Sequence, residues 1–376
     1  MQNDIKRILH VVSSMNRGGA ETMIMNLYRK IDRKKIQFDF VVHSETKGHY
    51  EDEIIKLGGR IIRCGSLGKL GPLKYISQLS RIINKNGPFH AVHSHTDFQG
   101  GFVAIAAKKN GVSNRICHSH NTQWVPKPSI VHKIQLVIFK EIIDRYATEY
   151  CSCGIDSAKF LFKSKKINNN GVNYINNGID VEQFNLDSES CQYLRKEFNI
   201  DKDTLVIGHI GRFFEQKNHK FIIEIAKKMK LDSLKFKILL AGEGPLLSEI
   251  KKEVERFELS ENVVFLGVRE DIPQLLKVFD VFLFPSFFEG LPVVLVEAQA
   301  AGVHCVISNS ITREIDFGLG LIDYCNLEDN IENWIYKINI AKKSSTVSIN
   351  TRRDVLKKLG YDVNYNVSKI MNLYNI

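Results

Sequence analysis

The sequence has no apolar run approaching the roughly 18 residues that mark a bilayer span. Its first residues, Met1-Gln-Asn-Asp-Ile-Lys-Arg7, lead straight into a strand-like pattern without a signal-peptide core. No C-x-x-C pair is present, and the seven cysteines (Cys64, Cys117, Cys151, Cys153, Cys191, Cys305, Cys325) are odd in number. A disulfide scaffold is thereby disfavoured, and a reducing, cytoplasmic setting is expected. Cys151-Ser-Cys153 ends the strand-like run from Ala147 with no second Cys/His pair beside it, so buried thiols are expected there rather than metal ligands. No basic helix-turn-helix, RNP or zinc-finger pattern points to nucleic acid. The turn Asn16-Arg-Gly-Gly-Ala-Glu21 does not supply the G-x-G-x-x-G that a dinucleotide oxidoreductase would need there.

What is present suits a soluble, two-domain chain. The 376 residues are 44% apolar and 25% charged, enough for two cores. The net charge of +10 is uneven: residues 1–180 carry 27 Lys/Arg against 14 Asp/Glu, and residues 181–376 carry 25 against 28. The basic half suggests an anionic partner, with a bilayer favoured over nucleic acid. Within it, Val131–Arg145 has apolar residues at 131, 134, 138 and 142 interspersed with Lys133, Lys140 and Arg145. That pattern fits a packed helix with a solvated face, and it also fits a helix lying on a membrane interface.

Strand-like runs at Arg7–Val12, Phe38–Val42, Arg60–Arg63, Ala91–His93 and Arg115–His118 alternate with helical patterns at Ala20–Lys30, Glu51–Leu57 and Leu73–Asn84. A second series opens at Thr204–Gly211 and continues through Phe236–Leu240, Val263–Leu266, Val281–Phe284 and His304–Ile307. Both are βαβ punctuation, which predicts two consecutive parallel sheets, that is, two Rossmann-like α/β domains. The turn-rich Asn168–Gly171 and Asn176–Asp180 separate them, giving domains of 1–180 and 181–376. Helical spacing returns over 345–376, at Val355, Leu359, Val363, Val367, Ile370 and Leu373, and this terminal helix is a candidate to cross back.

Two carboxylates, Glu289 and Glu297, flank the entry to an apolar helix after the strand Asp280–Pro285, with Pro292 expected in its first turn. That is the crevice where open α/β sheets bind ligands. The amides of Gly290 and Leu291 would offer a phosphate site at the positive helix end, and ionised carboxylates suit sugar hydroxyls. A capping glutamate plus a solvated one is the plainer alternative.

Gly18-Gly19-Ala20-Glu21, Asn177–Asp180, Gly211-Arg212 with Lys217-Asn218, Ala241-Gly-Glu-Gly-Pro245 and the E-x7-E of Glu289 and Glu297 follow one another in that order. Together they resemble a retaining GT-B glycosyltransferase of the GT4 type over nearly the whole chain. Met15–Glu21, His118-Ser-His120-Asn121 and Ser308–Glu314 are similar to the EpsF-like branch, which builds bacterial exopolysaccharides and capsules.

The resemblance implies two Rossmann-like domains facing each other across a cleft, with acceptor bound by the first and nucleotide sugar by the second. It further implies that Arg212 and Lys217 grip the donor pyrophosphate, Glu289 touches the transferred sugar, Glu297 binds ribose and the loop at Arg269 meets the base. Gly18 and Gly19 would approach the phosphates. The implied activity moves a hexose or N-acetylhexosamine from a nucleotide sugar, a UDP-sugar being expected, to a lipid-linked saccharide at the cytoplasmic membrane face.

His120 is the candidate reaction-centre histidine, with His118 its rival because alternate positions on an extended chain share a face. His93 and His95 form another His-x-His, and His95 and His118 are candidates to bind acceptor. No metal is expected: His-x-His without a carboxylate is a poor ligand set, and Asp201-Lys-Asp203 reads as a solvated turn. No other cofactor is implied. No carboxylate is seen in the sequence at the place of a nucleophile, which favours front-face substitution by the acceptor hydroxyl, with the departing phosphate helping to deprotonate it. Two alternatives remain: a nucleotide-sugar 2-epimerase of the same architecture, and a non-catalytic assembly partner, which would be expected to lose Arg212, Lys217 or Glu289.

Overall fold

The computed structural model describes residues 5–122, 129–186, 191–343 and 347–376. Residues 1–4 and 345–346, which the sequence-based reading touched, lie outside these. The chain divides into two compact units, one of residues 1–179 with 360–376 and one of residues 180–359.

The first unit holds a seven-stranded parallel sheet: β1 (Lys6–Val12), β2 (Ile36–Val42), β3 (Ile61–Arg63), β4 (Ala91–Ser94), β5 (Asn114–Ser119), β6 (Glu149–Ser152) and β7 (Asn173–Tyr174), in the order β3-β2-β1-β4-β5-β6-β7. The order reverses between β1 and β4, whose C-terminal ends are paired through His10↔His93 and Val11↔Ser94. β2 and β4 are buried at every position, as strands covered on both faces must be. The one carboxylate in β2, Asp39, is fully buried and held at 2.6 Å by both Arg7 and Arg60. Those guanidiniums keep its carboxyl below the usual range against the desolvation that would raise it.

The second unit has six parallel strands: β8 (Leu205–Ile210), β9 (Phe236–Ala241), β10 (Val263–Gly267), β11 (Val281–Phe284), β12 (His304–Ser308) and β13 (Ile322–Cys325), ordered β10-β9-β8-β11-β12-β13. Here the reversal falls between β8 and β11. Its core gathers Ile207, Ile222, Ile238, Leu240, Leu283 and the fully buried Trp334.

The C-terminal tail is two helices, and they belong to different units. The helix Ile349–Lys358 stays with the second. At Gly360 the chain adopts φ 79°, a left-handed angle that ends the helix at little cost only for glycine. Asp362 then caps the helix Val363–Tyr374 by accepting from the Asn364 (2.9 Å) and Tyr365 (3.4 Å) amides. Val363, Ile370, Leu373 and Tyr374 enter the β1–β2 core of the first unit. Bonds from Asn114 to Leu373 O (2.8 Å), His90 to Tyr374 O (2.7 Å) and Asn366 to Asn176 O (2.8 Å) fasten the helix there. Residues 360–376, the candidate to cross back, are thus grouped with the first unit.

Among the described residues no helix is long and apolar enough to cross a membrane. The helix Ile130–Tyr146 buries only Ile143 fully and leaves Ile130, Val131, Ile134, Val137 and Ile138 each more than half exposed.

Candidate active site

In the second unit, adjacency of β8 and β11 brings two loops together at their C-terminal ends. The loop after β8 carries Arg212 and Lys217, and the loop after β11 carries Glu289. Three bonds stitch them: Phe287 N to Gln216 O (2.9 Å), Gln216 Nε2 to Phe288 O (2.9 Å) and Asn218 Nδ2 to Pro285 O (3.2 Å). Lys217 Nζ consequently donates to Glu289 Oε1 at 2.7 Å, with both side chains largely buried (16% and 10% exposed). The same ammonium stands 4.6 Å over the Phe284 ring. Arg212 is exposed, stacks over Phe214 at 4.8 Å, and has no carboxylate partner among the described residues. An uncompensated guanidinium beside a lysine is suited to a diphosphate.

The β9 loop closes this corner. Gly242 has φ 139°, and a side chain there would meet Gly211 O, so only glycine lets the Ala241–Pro245 turn lie against the Arg212 loop. Phe213 N donates to Glu243 O at 2.8 Å across the contact.

The helix after Glu289 runs Val293–Ala301 with Pro292 at the N-cap, one residue ahead of the first turn where proline was expected. Gly290 and Leu291 lie in the turn that enters it. Glu297 sits one turn inside, only partly accessible, and burial pushes its carboxyl up to about 7. Arg269 is engaged by Asp271 (2.6 Å) and Glu197 (3.5 Å) and lies 5.8 Å over Phe198. Those contacts fix its guanidinium near the start of the helix Ile272–Val278.

In the first unit, Gly18 and Gly19 open the helix Gly19–Lys30, with Gly18 at the N-cap in extended backbone (φ −112°). Their use is therefore small size, not a left-handed angle. The larger feature is a group of five histidines at the ends of β1, β4 and β5: His10, His93, His95, His118 and His120. Alternate residues stack, His93 on His95 and His118 on His120, each pair at 4.1 Å between ring centroids. Across strands the rings are hydrogen-bonded: His10 Nδ1 with His95 Nε2 (2.9 Å), His95 Nδ1 with His120 Nε2 (2.9 Å), and His93 Nε2 with His118 Nδ1 (3.2 Å). Tyr374 from the terminal helix closes on His93 Nδ1 at 2.8 Å.

Exposure separates the candidates. His118 (1%) and His95 (8%) are buried, whereas His120 is partly open. His120 is thus the ring available to a ligand, and His118 and His95 support it from beneath. Burial keeps His10 and His120 neutral down to about 3, and holds His93, His95 and His118 well below the ordinary range. Protonating these rings costs the folded state, so stability falls as pH drops below the ordinary histidine value of about 6.5.

Three triads, His10/His93/His95, His93/His118/Cys151 and His95/His118/His120, bring potential ligand atoms within 4.8 Å of one another. In the first and third of these, one pair of rings is stacked, and lone pairs lying in two stacked ring planes converge poorly on one ion.

Asp97 was missed by sequence reasoning. It is buried, at φ 45°, and accepts from His120 N (2.8 Å), Asn121 N (3.4 Å) and Asn121 Nδ2 (2.6 Å). Its carboxylate is thereby occupied in shaping the His120 turn. Desolvation, partly offset by these bonds, pushes it up to about 6. A raised folded value means that ionising Asp97 costs stability progressively from about pH 4 to 6, at most about 3 kcal/mol. The melting temperature of Asp97→Asn minus that of the wild type should therefore rise between pH 4 and pH 7; a flat difference in calorimetry over that range would refute the assignment.

Two family profiles match in tandem: "Glycosyltransferase Family 4" over residues 17–183 and "Glycosyl transferases group 1" over residues 192–314. The chain is 44% identical over 376 residues to the putative glycosyltransferase EpsF of Bacillus subtilis, covering 100% of this chain and 98% of that protein. It is 26% identical over 353 residues to the Escherichia coli UDP-Gal:alpha-D-GlcNAc-diphosphoundecaprenol alpha-1,3-galactosyltransferase, covering 90% and 89%. In fold it matches Anabaena HepE, solved in complex with UDP and glucose, with a TM-score of 0.78 at 18% identity over 98% of this chain and 99% of that one. The chain belongs to the GT4-type glycosyltransferases of GT-B fold, in the EpsF-like branch.

Proposed function

We propose that the protein transfers a hexose or N-acetylhexosamine, with retention of configuration, from a UDP-sugar to a lipid-linked saccharide in surface-polysaccharide assembly. The observation that carries this is the Lys217–Glu289 pair beside the unpaired Arg212 at the strand reversal of the second unit. A diphosphate drawn to Arg212 and Lys217 releases Glu289 from its ion pair, and the freed carboxylate accepts from the sugar's hydroxyls. Glu297 accepts from the ribose, Arg269 borders the base, and Gly290 and Leu291 leave backbone near the phosphates. In the first unit His120 is the ring that meets substrate, with acceptor bound there.

No metal is required where two cations and helix amides neutralise the leaving group. Asp97, whose oxygens already take three bonds, is not free to act as a nucleophile. Attack on the donor's own face, assisted by the departing phosphate, therefore suits the site. The E. coli relative named for a diphosphoundecaprenol acceptor supports the acceptor class.

Incubation with UDP-sugars tests the reading. Slow UDP release without acceptor, and an anomerically retained product with undecaprenyl-diphosphate saccharide by NMR, are expected. Sugar interconversion without UDP release would instead mark a 2-epimerase. Silence toward all nucleotide sugars, with no nucleotide bound, would favour a non-catalytic partner.

The acceptor class implies a bilayer. The exposed ridge Ile130, Val131, Ile134, Val137 and Ile138 with exposed Lys133, on the half carrying the basic excess, complements an anionic surface. Vesicles with anionic lipid should bind the protein at least about tenfold more tightly than neutral ones at low salt. Ile134→Asp with Val137→Asp should remove most of that binding in flotation assays, and equal binding to both vesicle types would exclude the proposal.

A further inference from the structure

We propose that His10 and His95 are positioning residues that fix His120 as the Nδ1–H tautomer, making it a hydrogen-bond donor toward substrate. The inference rests on the reading of His120 as the ring that meets substrate.

The argument is one of counting protons. His120 Nε2, both nitrogens of His95 and Nδ1 of His10 are consumed in two ring-to-ring bonds of 2.9 Å. A neutral imidazole carries one N–H, and each bond needs one donor and one acceptor, so the hydrogens along this file all point the same way. Only two arrangements exist. If they point inward, His10 Nε2 carries a hydrogen. That atom is buried without a partner among the described residues, and the ring lies against Phe38 (4.2 Å) and Phe40 (5.4 Å).

If they point outward, His10 Nδ1 donates to His95 Nε2, and His95 Nδ1 donates to His120 Nε2. The inner end is then a bare ring nitrogen, and the outer end is His120 Nδ1–H, which meets no other group among the described residues. Buried donors without acceptors are rarer than under-used acceptors, which selects the outward arrangement. Burial holds all three rings neutral, so the counting applies at working pH.

A residue deep in β1 thus decides whether the partly exposed ring offers a hydrogen or a lone pair. Outward order makes His120 unsuited to take a proton at Nδ1 and suited to donate to a sugar or phosphate oxygen. The second file, Tyr374–His93–His118, packs against the first and fixes its rings by stacking at 4.1 Å.

The test is imidazole nitrogen NMR on full-length, histidine-labelled protein, with His120 assigned by its loss in His120→Ala. In the wild type, Nδ1 of His120 should report as protonated and Nε2 as bare. His10→Met, which fills the place among Phe38 and Phe40 with a sulfur that can accept but not donate, should reverse the file, so that His95 Nε2 donates to it and His120 Nε2 becomes protonated. It should lower kcat about tenfold with little change in donor KM. His10→Gln retains an N–H able to donate to His95 and should keep the wild-type tautomer and most of kcat.

A protonated His120 Nε2 in the wild type, or a tautomer unmoved by His10→Met, overturns the proposal. So does stoichiometric Co2+ binding whose visible bands vanish in His95→Ala, since the file would then be a metal site. The expected tautomers in a protein without transferase activity would uphold the file and sink the functional reading instead.

Discussion

Lys217→Ala is expected to lower kcat/KM for the nucleotide-sugar donor by about 10² to 10³, the scale found when one preorganised charge-stabilising donor is removed. Lys217 Nζ is held on Glu289 at 2.7 Å by two loops that are bonded to each other, so little reorganisation is needed when a diphosphate replaces the carboxylate. Glu289→Ala should act differently. It leaves Lys217 free for the diphosphate, so UDP binds as well or better, while kcat with the intact sugar donor falls by a similar factor.

A purely structural ion pair predicts another pattern. Each single change would then lower the melting temperature, the double change would restore it, and UDP affinity by calorimetry would be untouched in all three. Lys217→Arg provides a control for geometry: charge is kept, but a planar fork replaces a point donor, so partial activity is expected.

Much of the architecture is legible in the sequence because parallel strands buried on both faces leave continuous apolar runs. β8 and β11 are plain in Leu205–Ile210 and Val281–Phe284, and the reversal between them places Lys217 and Glu289 together although they are 72 residues apart. The tail was not legible to the same degree. Val355, Leu359, Val363, Val367, Ile370 and Leu373 keep helical spacing through the break at Gly360, so periodicity alone cannot show that the two halves pack in different units. A glycine two residues before a capping aspartate was the available signal.

The histidines were visible as two His-x-His pairs, but their order in space depends on strand neighbours. His10 reads as an apolar-strand residue until β1 is known to lie beside β4. Asp97 could not have been found by spacing, since its carboxylate reaches a turn 23 residues away. Tyr374 reaches His93 across 281 residues. In both units the candidate residues gather at the C-terminal ends of the strands around the point where the order reverses, the place at which two diverging loops leave room for a ligand.

Glu297 yields the second large effect, because binding and stability pull its proton in opposite directions. Burial pushes the carboxyl up to about 7, and no described residue supplies a hydrogen bond to offset it. Folding therefore favours the protonated form, and stability from this group declines as pH rises from the ordinary glutamate range through about 7. A ribose offering two hydroxyl donors favours the ionised form. Donor binding should consequently tighten between pH 6 and 8 and should release a proton near pH 6.5. Calorimetry in buffers of different ionisation enthalpy would show this release.

Glu297→Gln should melt higher than the wild type at pH 8 but not at pH 5, the gain being trimmed because the side chain is partly accessible. It should also weaken UDP binding at pH 8 by about 10². A variant that gains stability at high pH and loses nucleotide affinity identifies a carboxylate kept for a ligand. If Glu297→Gln binds UDP as the wild type does, with the same pH profile and no buffer-dependent enthalpy, the ribose assignment fails and Glu297 is only a poorly solvated helix residue.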